Sequence, residues 1–148
     1  MAKFDIIVGS VLGASEYVAD ALSETLAEHD HSAVIHLNPN FPEISKDSVW
    51  LVCTSTHGAG DLPDNIQSFA QQISEQNLAD ISFMLVGLGD SSYDTYCNGA
   101  RTMEDLLIKS GAKQLCEALH IDVLVNPIPE EIAILWLNDI LTKITIPQ

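Results

Sequence analysis

At 148 residues, with 47% hydrophobic residues and a mean hydropathy of +0.17, the chain is sized for one folded domain, 1–148, and is too apolar to be disordered. Its formal charge of −15, from 21 acidic against 6 basic residues, argues against nucleic acid as a partner, because phosphate contacts draw on clustered Lys and Arg. No apolar run approaches the ~20 residues of a membrane span, and the opening Met1-Ala2-Lys3-Phe4-Asp5 does not read as a secretory signal, so the expectation is a cytoplasmic protein with no membrane partner.

In chain order, Phe4-Asp5-Ile6-Ile7-Val8 reads as a first strand. A helix follows from Gly13 to about Glu28, with Val18, Leu22 and Leu26 on one face. Residues Ala33 to Leu37 form a second short strand. Val49-Trp50-Leu51-Val52-Cys53 forms a third, nearly all apolar, as a strand covered on both faces should be. Pro63 suits a helix start, and Ile66, Phe69, Ala70 and Ile73 line that helix's inner face. Residues Ile81 to Val86 form a fourth strand. Ala100, Met103, Leu106 and Leu107 mark a helix that Gly111 stops. Leu119 to Val125 reads as an uninterrupted fifth strand. A last helix after Pro129 carries Ile132, Trp136, Ile140 and Ile144. Strand and helix alternate without a hairpin signal, which predicts a doubly wound α/β domain on a parallel sheet.

Ligands of such sheets bind outside the carboxyl ends of the strands, and three polar loops follow strands here. The first, Gly9 to Ser15, joins the first strand to the first helix. Ser10, Val11, Leu12, Gly13, Ala14 and Ser15 can turn backbone N–H groups and hydroxyls towards an anion at a helix N-terminus. It is neither a Walker loop nor a dinucleotide glycine pattern. The second runs from Cys53 to Asn65 and holds Thr54, Ser55, Thr56, His57, Gly58, Ala59 and Gly60. The third is Gly87-Leu88-Gly89-Asp90-Ser91-Ser92-Tyr93-Asp94-Thr95-Tyr96-Cys97. Rings in the second and third loops, His57 and Tyr93, suggest a slot for a flat heterocycle.

These loops resemble the flavin-contacting loops of the flavodoxin family, especially in its diflavin reductases. Gly87 to Tyr93 is similar to the reductase run Gly-Leu-Gly-Asp-Ser-Ser-Tyr almost letter for letter. Ser55 to Asn65 resembles Ser-Thr-Tyr-Gly-x-Gly-Asp/Glu-x-Pro-x-Asn, with His57 in place of the ring that covers the inner flavin face. Ser10 to Ser15 resembles the family's phosphate loop, with Leu12 where a central Thr is usual. The resemblance implies a flavodoxin-like five-stranded parallel sheet of order 2-1-3-4-5 with helices on both faces. It implies non-covalent FMN, with Tyr93 on the outer flavin face and backbone groups of Tyr96 and Cys97 at the flavin edge. Gly58 and Gly60 would permit the peptide flip beside the flavin that accompanies reduction in the family.

Reductase-like loops on a short module resemble the MioC-type members. Those imply an electron carrier with a flavoprotein reductase as donor and an acceptor enzyme with a basic docking face, biotin synthase among the recipients. The −15 charge is in keeping with such steering, though solubility alone would account for it. With no Lys or Arg expected near the flavin, the anionic reduced form would be disfavoured. Two alternatives stay open: a flavin reductase that takes hydride from NAD(P)H directly, and a regulatory module whose FMN does not turn over. Other chemistries lack their residues. The end of the first strand has no acid cluster of a receiver domain, there is no Gly-x-Ser-x-Gly elbow, and no metal ligands stand at catalytic spacing. His29 and His31 around Asp30 read as a solvated turn. Cys53, Cys97 and Cys116 read as free thiols.

Overall fold

The computed structural model describes residues 2–11, 13–57 and 60–147. Among them the chain runs β1 (Lys3–Gly9), α1 (Ala14–Glu28), β2 (Ser32–His36), β3 (Val49–Thr54), α2 (Asp64–Ile73), β4 (Ser82–Gly89), α3 (Asn98–Lys109), β5 (Lys113–Gln114), β6 (Leu119–Asp122) and α4 (Pro129–Lys143). A short 3-10 helix, Phe41–Glu43, precedes β3. The strands pair in parallel in the expected order β2-β1-β3-β4-β5, and β6 joins the same outer side of β4.

Side chains alternate across a strand, and this alternation builds two apolar layers from the same residues' neighbours. Ile6, Leu51 and Met84 face one way, against Val18, Leu22 and Leu26 of α1 and Ala133 and Leu137 of α4. Ile7, Val52 and Leu85 face the other, against Ile66, Phe69 and Ile73 of α2 and Met103 and Leu107 of α3. Trp50, fully buried in the second layer, meets the rings of Phe41 and Phe69 at 6.2 and 5.7 Å between centroids. Its indole N–H is satisfied by the Ser45 carbonyl at 2.9 Å. Among the described residues Asp5 is the one buried acid, and it is bonded by His36 at 2.7 Å and by the Ser48 hydroxyl, as a buried carboxylate requires.

The fifth strand differs from its expected form. Its position on β4 is filled by two short pieces rather than by an unbroken run from Leu119 to Val125. Gln114 pairs with Phe83 and Leu119 pairs with Val86, so the outer strand advances five residues while β4 advances three. The surplus is a bulge at 115–118, whose Leu115 and Cys116 pack on the first layer and Ala118 on the second. The far end stops at Asp122, because its carbonyl accepts N–H groups of Val125 and Asn126 and its carboxylate accepts that of Leu124. His29 and His31, at the end of α1, are engaged in packing. His29 Nε2 meets Asn138 at 2.8 Å, and His31 Nδ1 accepts the Ala2 N–H at 2.9 Å while its ring lies edge-on to Phe4.

Candidate functional site

With every strand parallel, the ends of β1, β3 and β4 share one rim, and the three polar loops meet there. Between them lies a cleft of about 350 Å³. Val11 and Ala14 line it from the first loop, Ser55, Thr56 and His57 from the second, and Leu88, Gly89, Asp90, Tyr93 and Cys97 from the third. Thr95 and Val123 complete the lining. His57 is exposed and Tyr93 is 64% exposed, so both rings stand at the mouth without packing into the core.

The first loop leads into the N-terminus of α1. Gly13 adopts φ +90, a left-handed conformation that favours glycine, and directs the chain into α1. Its N–H donates to Ser10 Oγ at 3.0 Å, and the Ser10 hydroxyl in turn faces a Glu16 carboxylate oxygen at 3.4 Å. Glu16 thus stands in the first turn of α1, where the helix dipole favours a negative charge. Ser15 is fully buried and its Oγ has no hydrogen-bond partner among the described residues. Buried hydroxyls are nearly always paired, so Ser15 Oγ is an unused hydrogen-bonding group at the start of α1. No Lys or Arg stands in 9–15. Leu12 lies outside the described residues.

The second loop is closed by its own backbone. His57 N–H donates to the Asp61 carbonyl at 2.7 Å, and Asp61 N–H returns to the His57 carbonyl at 2.9 Å. Gly60 turns the loop with φ +104, and a side chain there would meet Asn98 Nδ2 at 2.9 Å. Gly58 and Ala59 lie outside the described residues. Thr54 is buried at the end of β3 with its hydroxyl on the Ser55 carbonyl at 3.0 Å.

In the third loop Asp90 accepts both the N–H and the hydroxyl of Ser92, at 2.9 and 2.6 Å, and so shapes the turn that presents Tyr93. Gly87 stands deeper in β4, where a Cβ would come within 2.4 Å of Ala100; its bareness lets α3 approach the sheet. A Cβ on Gly89 would strike Cys97 N at 2.7 Å. Cys97 itself is buried with φ +53, a costly conformation for a non-glycine residue that recurs at functional loops. Burial raises the Cys97 thiol pKa and pushes the Tyr96 phenol up to about 12. The Tyr96 ring meets His120 edge-on at 6.4 Å, and burial lowers the His120 pKa. Cys53, fully buried in β3, is pushed up to about 12 by burial and behaves as a core residue.

Several residues that organise the rim carry little or no mark in the sequence. Asn65 of α2 accepts the Ser10 N–H at 2.9 Å and donates to the carbonyls of Val8, at 2.7 Å, and Leu37, at 2.9 Å. It fixes the start of the phosphate-type loop from a helix over fifty residues away. Asn98 donates to the Gly60 carbonyl at 2.7 Å, and Gly99 N–H donates to Thr56 Oγ1 at 2.9 Å, which together tie the second loop to the third. Asp122 accepts the Ser91 N–H at 3.2 Å, and hydrogen bonding from Ser91 holds its carboxyl below the usual range. Only Asn65 has a visible cue, its place at the end of the second-loop motif. No Lys or Arg lines the cleft among the described residues, and Arg101 is a basic residue in the helix that follows Cys97. One turn into α3, its guanidinium bonds the Tyr96 carbonyl beside the cleft.

Comparison with known proteins agrees with this geometry. The flavodoxin family model matches residues 6–136. A MioC homolog of Pasteurella multocida is 43% identical over 96% of this chain and 98% of its own. The MioC protein of Escherichia coli strain K12 is 41% identical over 93% and 95%. A cysteine-to-alanine mutant of flavodoxin from Pseudomonas aeruginosa superposes with a TM-score of 0.86 at 31% identity, over 93% of this chain and 95% of that one.

Proposed function

The chain belongs to the flavodoxin family, and we propose that it is an electron carrier holding one FMN non-covalently, reduced by a flavoprotein reductase and oxidised by acceptor enzymes that include biotin synthase. The observation that supports this reading is the meeting of three strand-end loops at one cleft, lined by Val11 and Ala14 of the first, Ser55, Thr56 and His57 of the second and Gly89 and Tyr93 of the third. In it, Ser10, Gly13 and Ser15 hold the phosphate, with Val11 and Ala14 beside it. Thr54, Ser55, Thr56, His57 and Gly60 shape the inner side. Gly87, Leu88, Gly89, Asp90, Tyr93, Tyr96 and Cys97 shape the outer side and the edge. Leu12, Gly58 and Ala59 belong to the same set by position in the sequence.

FMN supplies the electron-accepting ring, and the protein supplies stacking, hydrogen bonds and charge. Tyr93 stands ready to cover one ring face. The leftover hydroxyl of Ser15 and the N-terminal dipole of α1 favour a phosphate without a neutralising base. No proton donor or substrate pocket is needed for the transfer of single electrons, and a shallow cleft with its rings at the mouth keeps the cofactor edge near a docked partner.

Acidic residues crowd this rim: Asp61, Asp64 and Asp94 are exposed and Glu16, Asp90 and Asp122 half-buried around it. Such a field steers a partner with a basic docking face and raises its rate of encounter more than its affinity. Electron transfer to a partner is expected to slow as salt rises and screening shortens to about 8 Å at physiological ionic strength. A rate that stays flat with salt would return the charge to solubility alone.

Adding NADPH to the FMN-loaded protein, with and without a flavoprotein reductase, tests the carrier reading. Bleaching of the flavin only when the reductase is present is the expected result. Bleaching by NADPH alone would make the chain a flavin reductase, and bound flavin that bleaches in neither case would make it a regulatory module.

A further inference from the structure

In a parallel sheet all strands start at one end, and the connecting helices finish there. Five of the six basic residues of this chain occupy that end. Lys3 and Lys113 open β1 and β5, Lys109 and Lys143 close α3 and α4, and Lys46 lies three residues before β3. Arg101 alone is at the other end, in the first turns of α3, which follows the cleft residue Cys97.

Its placement there is specific. The Arg101 side chain folds back over its own helix start, and Nη1 donates to the Tyr96 carbonyl. The Arg101 N–H donates to the Cys97 carbonyl at 3.1 Å. Tyr96 and Cys97 are the residues that lead the chain out of the cleft into α3, and Cys97 is part of its wall. No carboxylate lies within 4.0 Å of the guanidinium among the described residues, so its charge is not neutralised by a direct partner. Burial raises the pKa values of Tyr96 and Cys97 and lowers that of His120; the Arg101 charge opposes the first two shifts and adds to the third.

We propose that Arg101 sets the reduction potential of the bound flavin by supplying the one positive side-chain charge of Lys or Arg type at the cofactor end of the molecule. The proposal rests on the reading that the cleft holds FMN. Each electron comes from the flavoprotein reductase and enters the flavin ring. Where no proton accompanies it, the ring gains a negative charge, which a cation nearby stabilises and the surrounding carboxylates disfavour. Arg101 offsets those carboxylates and makes the second electron easier to add. The effect is partly screened, because the guanidinium is exposed.

The test is the midpoint potential of each one-electron step in FMN-loaded wild type, Arg101→Lys and Arg101→Gln, poised with an electrode and mediator dyes at low and high salt. FMN dissociation constants are measured by fluorescence alongside. Arg101→Gln is expected to shift the second potential to more negative values, by an amount that shrinks as salt rises. Arg101→Lys keeps the charge but loses the planar fork, and is expected to stay near wild type. No shift in either variant, equal shifts in both, or loss of FMN by Arg101→Gln would overturn the proposal, because each assigns Arg101 at most to holding the Tyr96 carbonyl. Wild type that binds no FMN would instead overturn the carrier reading on which the proposal rests.

Discussion

The two ends of the sheet are built from the same strands but to different purposes. At the end where strands begin, polar groups are consumed by the fold: His31 takes the Ala2 N–H, Ser110 Oγ donates to the Ile73 carbonyl, and Leu78 N–H donates to the Ser110 carbonyl. At the end where strands finish, glycines keep backbone close to backbone, two rings stand exposed, and Ser15 Oγ has no partner among the described residues. Most bases sit at the first end and many acids at the second. The contrast teaches that the strand bodies and the first end supply stability, whereas the second end holds polar capacity in reserve for a ligand.

The largest effect expected from this division lies in the strand bodies. Trp50→Ala removes a fully buried indole from between Phe41 and Phe69 and should cost about 3–5 kcal/mol of stability, read from urea denaturation of the FMN-free protein. A cost below about 1 kcal/mol would mean that the second apolar layer is not what holds the sheet.

Tyr93→Ala is the counterpart at the open end. Because Tyr93 is 64% exposed, the FMN-free protein should unfold at the same urea concentration as wild type. FMN affinity should fall by roughly 1–3 kcal/mol as the ring's cover of the flavin is lost. A variant destabilised without FMN, or one with unchanged affinity, would erase the distinction between the two ends at this residue.

How much of this division is legible in the sequence follows from the range of the interactions. β1, β3 and β4 are apolar runs and announce themselves, and the glycine and hydroxyl loops after them carry local signals. The fifth strand position departs from expectation because its first piece, Lys113–Gln114, is polar and two residues long, and because Asp122 ends the second by a turn that apolar Val123, Leu124 and Val125 do not betray. Asn98 acts on a carbonyl 38 residues away, which no spacing reveals, and the motif that ends in Asn65 does not show that it reaches carbonyls 28 and 57 residues away. Arg101 reads as an ordinary helix base until the fold places every other base at the opposite end.

A smaller effect sharpens the comparison through pH. His31 at the closed end and His120 beside the cleft both have pKa values lowered from the ordinary 6.5, in each case first by burial. The unfolded chain therefore takes up these protons before the folded one does, and stability should decline as pH falls below about 6.5. The lowered Asp122 carboxyl works in the same direction at more acid pH, since its contribution is lost as pH falls through its folded value. His120→Gln should flatten part of the decline in urea midpoints measured between about pH 7 and pH 5. An unchanged slope would mean that the His120 ring titrates freely, and would remove it from the buried wall behind Tyr96.

The central claim is that the open end is a phosphate-reading flavin site. The most direct measurement is a fluorescence titration of the purified, flavin-free protein with FMN, riboflavin and FAD in parallel. The account predicts one FMN per chain, weaker riboflavin because the cradle of Ser10, Gly13 and Ser15 goes unused, and poor FAD. Equal affinity for FMN and riboflavin, or no binding of FMN at all, would contradict it.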